Sequence, residues 1–344
     1  MAADYSLEFN RAYSPLMITG GLKACEEDFQ VTELQRSELS GEGEHVWLRW
    51  QKTGINTQML ARDLAKLAGV AEMDVGYAGM KDRQAVTSQW FSLYLPTAAE
   101  PDWKALESDK LQLLAATRHR KKLRRGQHDG NSFTIRLTAL EGDTSVLQQR
   151  LELIARQGVP NYFGLQRFGI EAGNLAGAEQ LFVARRRPSS RHLRGIYISA
   201  ARSYLFNRLL CARVADMSWR TIESGDVACT VLTSNPTGPM WGRGRLKSSA
   251  RIAELESQVA DELALWCRGL EHCGLQQERR PLCLPVKDLI WSLCEHTLQL
   301  SFELPPGGYA TSVIREIGDF VARGPGSARS PQRGSTQTDS GRPD

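Results

Sequence analysis

The sequence predicts an α+β protein built on an antiparallel or mixed sheet. Strand-type alternation dominates the first 140 residues, helical periodicity dominates from about 174 to 269, and strand character returns at Leu298–Leu304. With 344 residues and 41% apolar side chains, the chain has material for two domains with buried cores. The change of character falls near Gly158–Pro160, the natural place for a boundary.

From His45 to Lys52 the alternation predicts a strand, with Val46, Leu48 and Trp50 on one face and Trp47 and Arg49 on the other. A helix follows. Asn56 or Thr57 can cap it, Leu60, Leu64 and Leu67 recur at helical spacing, and Gly69 ends it. Val75–Gly79 and Val86–Leu95 read as strands joined by an exposed polar loop, Met80–Gln84. Asn131–Leu140 alternates cleanly, with Phe133, Ile135 and Leu137 inward. Thr144–Gln157 forms an amphipathic helix through Val146, Leu147, Leu151 and Ile154, stopped by Gly158. Helices are then expected at Asn174–Arg186, Ser199–Met217 and Ser248–Gly269, and a last one from Thr311 to Val321 after the turn Pro305–Gly308. The Gly-, Pro-, Ser- and Arg-rich tail from 324 to 344 lacks apolar side chains and is expected to be disordered.

The net charge of +4 conceals two concentrations. Residues 118–125 hold six Lys or Arg and no acid, Arg185, Arg186, Arg187, Arg191 and Arg194 add five more, and the rest of the chain carries −7. Acid-free basic runs more often meet phosphate than a helix face of mixed sign does, although a solvated surface is the competing reading. Seven cysteines without a Cys-x-x-Cys pair make zinc and disulfide frameworks improbable, so no metal is expected. No signal-peptide core and no stretch of 18 apolar residues is found, which predicts a reduced, soluble, cytoplasmic protein with no membrane partner.

The loop Gly79-Met80-Lys81-Asp82-Arg83 sets one carboxylate between two cations. Flanking positive charge favours the ionised form, which suits a nucleophile or electrostatic stabiliser. A plain turn aspartate is the competing reading.

The string Gly76-Tyr77-Ala78-Gly79-Met80-Lys81-Asp82-Arg83-Gln84-Ala85-Val86-Thr87-Ser88-Gln89-Trp90-Phe91 resembles the active-site motif of the TruD family of tRNA pseudouridine synthases. Further motifs follow in family order: Lys23 with Glu27-Asp28-Phe29 and Glu33, Gly41–His45, Lys121–Gly126 leading into Gly130-Asn131-Ser132-Phe133, Asn161–Gly169, Ser199–Ser203 and Leu304–Ser312. The resemblance spans nearly everything from Gly21 to Val321.

It implies a pseudouridine-synthase-like catalytic domain and an isomerase that needs no cofactor. Such an enzyme cleaves the uridine glycosidic bond, turns the uracil and rejoins it to ribose through carbon, here expected at tRNA position 13. Asp82 takes the catalytic place and Lys23 the place of the basic residue facing it; a solvated lysine is the alternative. Asn131 matches a residue that hydrogen-bonds the carboxylate or the nucleotide, unless it is a turn residue. Phe133 matches an aromatic that stacks on uracil, a contact worth ~1–3 kcal/mol, though periodicity alone would make it core. Phe29 and Tyr309 match substrate-lining aromatics, and Arg120, Lys121, Lys122, Arg124, Arg125 and Arg167 are expected to bind RNA.

If Phe29 and Tyr309 share one pocket, the catalytic domain is discontinuous: residues 1–157 with 300–323, interrupted by a mainly helical insert at 158–299. A monomer with tRNA as partner is expected. Two departures stand out. Gln84 occupies a position where many relatives carry histidine, and the excursion after Gly225-Asp226-Val227 is shortened to residues 228–236. A non-catalytic tRNA-binding or chaperone protein with the same basic groove is the alternative function.

Overall fold

A computed structural model of the chain describes residues 5–14, 16–96, 99–229 and 235–322. In chain order the first half contributes β1 (Thr19–Leu22), β2 (Phe29–Leu34), β3 (His45–Thr53), α1 (Thr57–Ala68), β4 (Val75–Tyr77), β5 (Val86–Tyr94), β6 (Leu111–His119) and β7 (Gly130–Glu141). The helix α1 is bounded as its sequence dictates. The Asn56 side chain accepts from the Gln58 N–H at 2.8 Å, and Gly69 closes the helix at φ +66°. Leu60 and Leu64 pack on Val46, Leu48 and Trp50 of β3. Trp47, on the opposite face, is also buried, against Trp90 and Leu123.

There follow α2 (Leu147–Gln157), β8 (Val159–Pro160), α3 (Gly173–Phe182), α4 (Arg191–Ala215), β9 (Ala228–Cys229), β10 (Asn235–Met240), α5 (Ala250–Glu262), α6 (Ala264–Glu271), β11 (Glu278–Pro281) and β12 (Cys283–Leu284). Four expectations change here. Val146 is exposed because α2 begins only at Leu147. The helix expected from Ser199 starts at Arg191, because Ser190 caps it by accepting from the Leu193 N–H. The span 248–269 splits into two helices at Leu263, whose φ/ψ of −127° and 39° is not helical. The excursion at 228–236 becomes a pairing of β9 with β10, Cys229 opposite Asn235, with residues 230–234 outside the described residues.

The chain closes with β13 (Lys287–Cys294), β14 (Thr297–Leu304), α7 (Ala310–Ile314) and β15 (Asp319–Ala322). The helix expected to reach Val321 stops at Ile314, and Asp319–Ala322 runs instead as a strand parallel to β1. The predicted tail lies outside the described residues.

Ten strands form one mixed sheet, with the path β13-β14-β7-β2-β5-β3-β6, while β1 joins β7 and β15, and β4 joins β5. The sheet corrects the boundary drawn at 299/300. The β13–β14 hairpin belongs to it by hydrogen bonding, so the return begins at Lys287. Six of the eight β13 residues, Ile290 among them, are exposed, and only Leu289 and Trp291 pack toward the core. Likewise Tyr5, Leu7 and Phe9 pack on the helical half, in one cluster with Tyr204 and Trp266.

Two pairings position the functional loop. On β7, Asn131 lies opposite Leu304 of β14 and Glu33 of β2, and Phe133 opposite Phe302 and Val31. One edge of β5 is shared: β2 takes Val86–Ser88 in parallel, and β4 takes Phe91–Leu93 antiparallel. The connection from β4 to β5 therefore emerges beside the ends of β2 and β7.

Candidate active site

That connection borders a cavity of about 420 Å³. Phe29, Val31, Phe133 and Asn131 come from the sheet, Gly79–Asp82 from the loop, and Gly307–Thr311 from the returning C-terminal segment. Phe29 and Tyr309 thus reach one pocket from opposite ends of the chain. Phe133 is both core and lining: it stacks on Phe302 at 5.4 Å between centroids and meets the Phe29 edge at 6.2 Å.

Asp82 is held from two sides. Its Oδ1 accepts from the Gln84 backbone N–H at 3.0 Å, and Oδ2 pairs with the Lys23 ammonium. At position 84 it is therefore the backbone that holds the carboxylate, while the glutamine side chain is exposed. Lys23 is largely covered, sits 4.2 Å over the Phe29 ring, and adopts φ +58°, a left-handed conformation that costs a non-glycine residue energy.

The neighbouring cations do something other than flank the carboxylate. Lys81 turns inward, 2.8 Å from Glu33 Oε2, and donates to Asn131 Oδ1 at 2.6 Å. The Arg83 Nε donates to the Gly54 carbonyl at 3.2 Å. Asn131, expected to reach the carboxylate or the nucleotide, thus spends its oxygen on Lys81, and its amide faces His128 Nε2 at 3.4 Å. Gly130 allows the approach: at φ +139°, a Cβ there would lie 2.4 Å from the Leu304 carbonyl oxygen.

A buried polar network anchors the loop from beneath. The Lys81 N–H donates to Thr57 Oγ1 at 3.1 Å, Thr57 donates to Gln89 Oε1 at 2.9 Å, and the Gln89 amide donates to the Gly79 carbonyl at 3.2 Å. Glu33 Oε1 also accepts from the Trp90 N–H. Lys52 is fully buried, donates to the Ile55 carbonyl at 2.8 Å, and burial pushes its ammonium down to about 8. Burial and then the Lys81 charge likewise push His128 down, keeping it neutral near pH 7. Sequence reasoning offered Thr57 only as an alternative helix cap and assigned no role to Lys52, Gln89 or His128. A signal existed for two buried charges: Glu33 shares the parity of Phe29 and Val31, and Lys52 that of Leu48 and Trp50.

The residues expected to meet RNA divide. Lys121, Arg124 and Arg125 are exposed, whereas Arg120 pairs with Glu42 and Lys122 donates to the Met73 carbonyl. The second run is exposed throughout. Arg167 stands behind the pocket wall, donating to Oη of the lining Tyr309 at 2.5 Å and to Ser199 Oγ at 3.0 Å. Among the described residues there is no His, Cys, Asp and Glu cluster able to hold a metal, and no helix long and apolar enough to cross a membrane.

The family model described as tRNA pseudouridine synthase D (TruD) matches residues 12–182, 183–235 and 230–317. The tRNA pseudouridine synthase D of Pseudomonas syringae pv. syringae (strain B728a) is 46% identical over 335 residues, covering 91% of this chain and 95% of the relative. That of Pseudomonas aeruginosa (strain LESB58) is 47% identical over 324 residues, covering 88% and 91%. The crystal structure of a TruD chain from Methanosarcina mazei shares the fold, with a TM-score of 0.66 at 22% identity over 90% of this chain and 95% of that one. With the loop, the cavity and the returning C-terminal segment in place, the chain belongs to the TruD family of tRNA pseudouridine synthases.

Proposed function

We propose that this protein isomerises uridine to pseudouridine in tRNA, with Asp82 as the catalytic residue and the uridine at position 13 as target. One observation carries the reading: an aspartate paired with a dedicated lysine stands at the mouth of an aromatic-lined cavity. A uridine leaves its stack and enters between Phe133, Phe29 and Tyr309, gaining ~1–3 kcal/mol from stacking against the cost of extrusion. Asp82, paired with Lys23, meets the sugar or base where the C1′–N1 bond breaks and the C1′–C5 bond forms. The proton lost from C5 balances the one gained at N1, so the reaction closes without a cofactor.

The catalytic unit, expected to comprise residues 1–157 and 300–323, is drawn with its returning segment from Lys287 and without Tyr5–Phe9, which pack on the helical insert. Lys121, Arg124, Arg125 and the second basic run hold the tRNA backbone around the pocket, and the enzyme acts as a cytoplasmic monomer. A purely tRNA-binding protein fits less well. A carboxylate at the cavity mouth repels phosphate and is of no use to a binder.

Asp82→Asn tests the reading. Turnover, mapped by carbodiimide adducts on tRNA, should vanish while tRNA affinity stays within about twofold of wild type. An active variant would remove Asp82 from the chemistry, and a wild-type protein that marks no uridine would remove the activity.

A further inference from the structure

Arg280 lies on β11, outside every motif the sequence singled out, yet its guanidinium reaches the carbonyl of Gly307, which lines the cavity. Its central carbon sits 4.2 Å from the Phe163 ring centroid, and that of Arg167 sits 5.5 Å from the same ring. Neither cation meets a carboxylate among the described residues. Arg280 donates to Asn161 Oδ1 at 2.6 Å and the Gly307 carbonyl at 3.0 Å, while its Nε is buried with no partner. Among the described residues the Arg167 guanidinium donates only to the Ser199 and Tyr309 hydroxyls.

The neighbours behave differently. Arg279 pairs with the buried Glu256, and Arg202 reaches Glu278. Two like charges around one aromatic ring, answered only by neutral acceptors, repel each other and lack the counter-charge that buried cations ordinarily have. Burial, reinforced by the Arg167 charge, pushes Arg280 down to about 10, against an opposing pull from Tyr309. The segment they hold, Gly307–Tyr309, lines the uridine cavity, and Gln166 of the Arg167 loop lines it as well.

We infer that Arg167 and Arg280, brought together by Phe163, form a binding site for one backbone phosphodiester of the substrate RNA, next to the nucleotide whose base enters the cavity. The inference rests on RNA being the ligand of this pocket. A phosphate here supplies the missing negative charge, and the planar guanidinium fork suits its two non-bridging oxygens. Because the same two arginines hold Gly307 and Tyr309, phosphate binding also fixes the aromatic that closes over the base.

The test uses the full chain and tRNA carrying single neutral methylphosphonate linkages across the positions flanking uridine 13. In the wild type one linkage should lower affinity about tenfold. In Arg280→Gln that linkage and the native one should bind alike, with the slope of log affinity against log salt shallower by about one. Arg280→Lys should retain part of the sensitivity. A flat scan in the wild type overturns the site, as does a loss of equal size in Arg280→Gln. If Arg280→Gln fails to fold, Arg167→Gln is read the same way. Affinity is measured independently of pseudouridine formation: the expected pattern without turnover would refute the enzymatic reading alone, and turnover with a flat scan would refute the site alone.

Discussion

Lys81 and Glu33 form an ion pair whose side chains are 6% and 1% exposed, directly under the loop that carries Asp82. At 2.8 Å and an effective dielectric constant of about 20, their attraction is about 6 kcal/mol, most of it offset by the desolvation of both charges. The net value of the pair is therefore small, but either charge left alone is costly. Lys81→Met should destabilise the protein by about 3–5 kcal/mol, because Glu33 would keep only the Trp90 N–H. Glu33→Gln should also destabilise it, by stranding the Lys81 ammonium. The double variant should be more stable than either single one: a glutamine at 33 still accepts from Trp90, and its amide can donate to the freed Asn131 oxygen. Urea unfolding followed by tryptophan fluorescence measures the coupling, since Trp47, Trp50 and Trp90 are buried in this half. Losses that simply add would refute the argument, because they would mean that each group is satisfied without the other. Activity should stay low in all three variants, as Asn131 and the loop lose their anchor.

The remaining expectations follow from single groups. Lys23→Gly keeps the φ of +58° and removes the charge, so stability should stay within about 1 kcal/mol while turnover falls more than tenfold; retained turnover would show that Asp82 does not need its partner. The ammonium of Lys52 titrates at about 8 in the fold against 10.5 for an ordinary lysine. Between these values the unfolded chain binds more protons than the folded one, so this group's cost to stability is greatest below pH 8 and is relieved as pH rises. Lys52→Met should therefore gain more stability relative to wild type at pH 7 than at pH 10, and an equal gain at both would refute the burial argument. Replacing Lys121, Arg124 and Arg125 by Ala should flatten the salt dependence of tRNA binding by about two to three, more than Arg120→Ala, whose charge already meets Glu42; an unchanged slope would mark the run as mere solvated surface.

Local signals located most of the scaffold. The Asn56 cap, the Gly69 stop and the parity of Phe133, Ile135 and Leu137 are decided within a few residues, and each stands where its pattern put it. Elements whose identity depends on a distant partner were harder to read. Nothing near Asp319 marks it as a strand; it becomes one because β1 offers it an edge 300 residues away. The hairpin strand β13 exposes six of its eight residues and stays on the sheet by pairing with β14. The site follows the same division. The loop bearing Asp82 was visible as chemistry, but the direction in which Lys81 turns depends on Glu33 and Asn131, which β2 and β7 bring side by side. Arg280 could be recognised only once β11 was placed against the Asn161–Gly169 loop.

The parallel pairing of β1 with β15 joins Thr19 to Asp319 and Leu22 to Ala322, immediately before Lys23. Both walls of the pocket thus depend on segments far downstream of Lys23 and Asp82: β14 covers one edge of β7, and Tyr309 closes the cavity. A chain still growing on the ribosome has Asp82 and Lys23 but no enclosed pocket and no partner for that edge of β7. Such long-range closure makes folding slow. It also means that a chain ending before β14 would leave that edge of β7 unpaired, a template for aggregation, and would lack Tyr309 at the cavity.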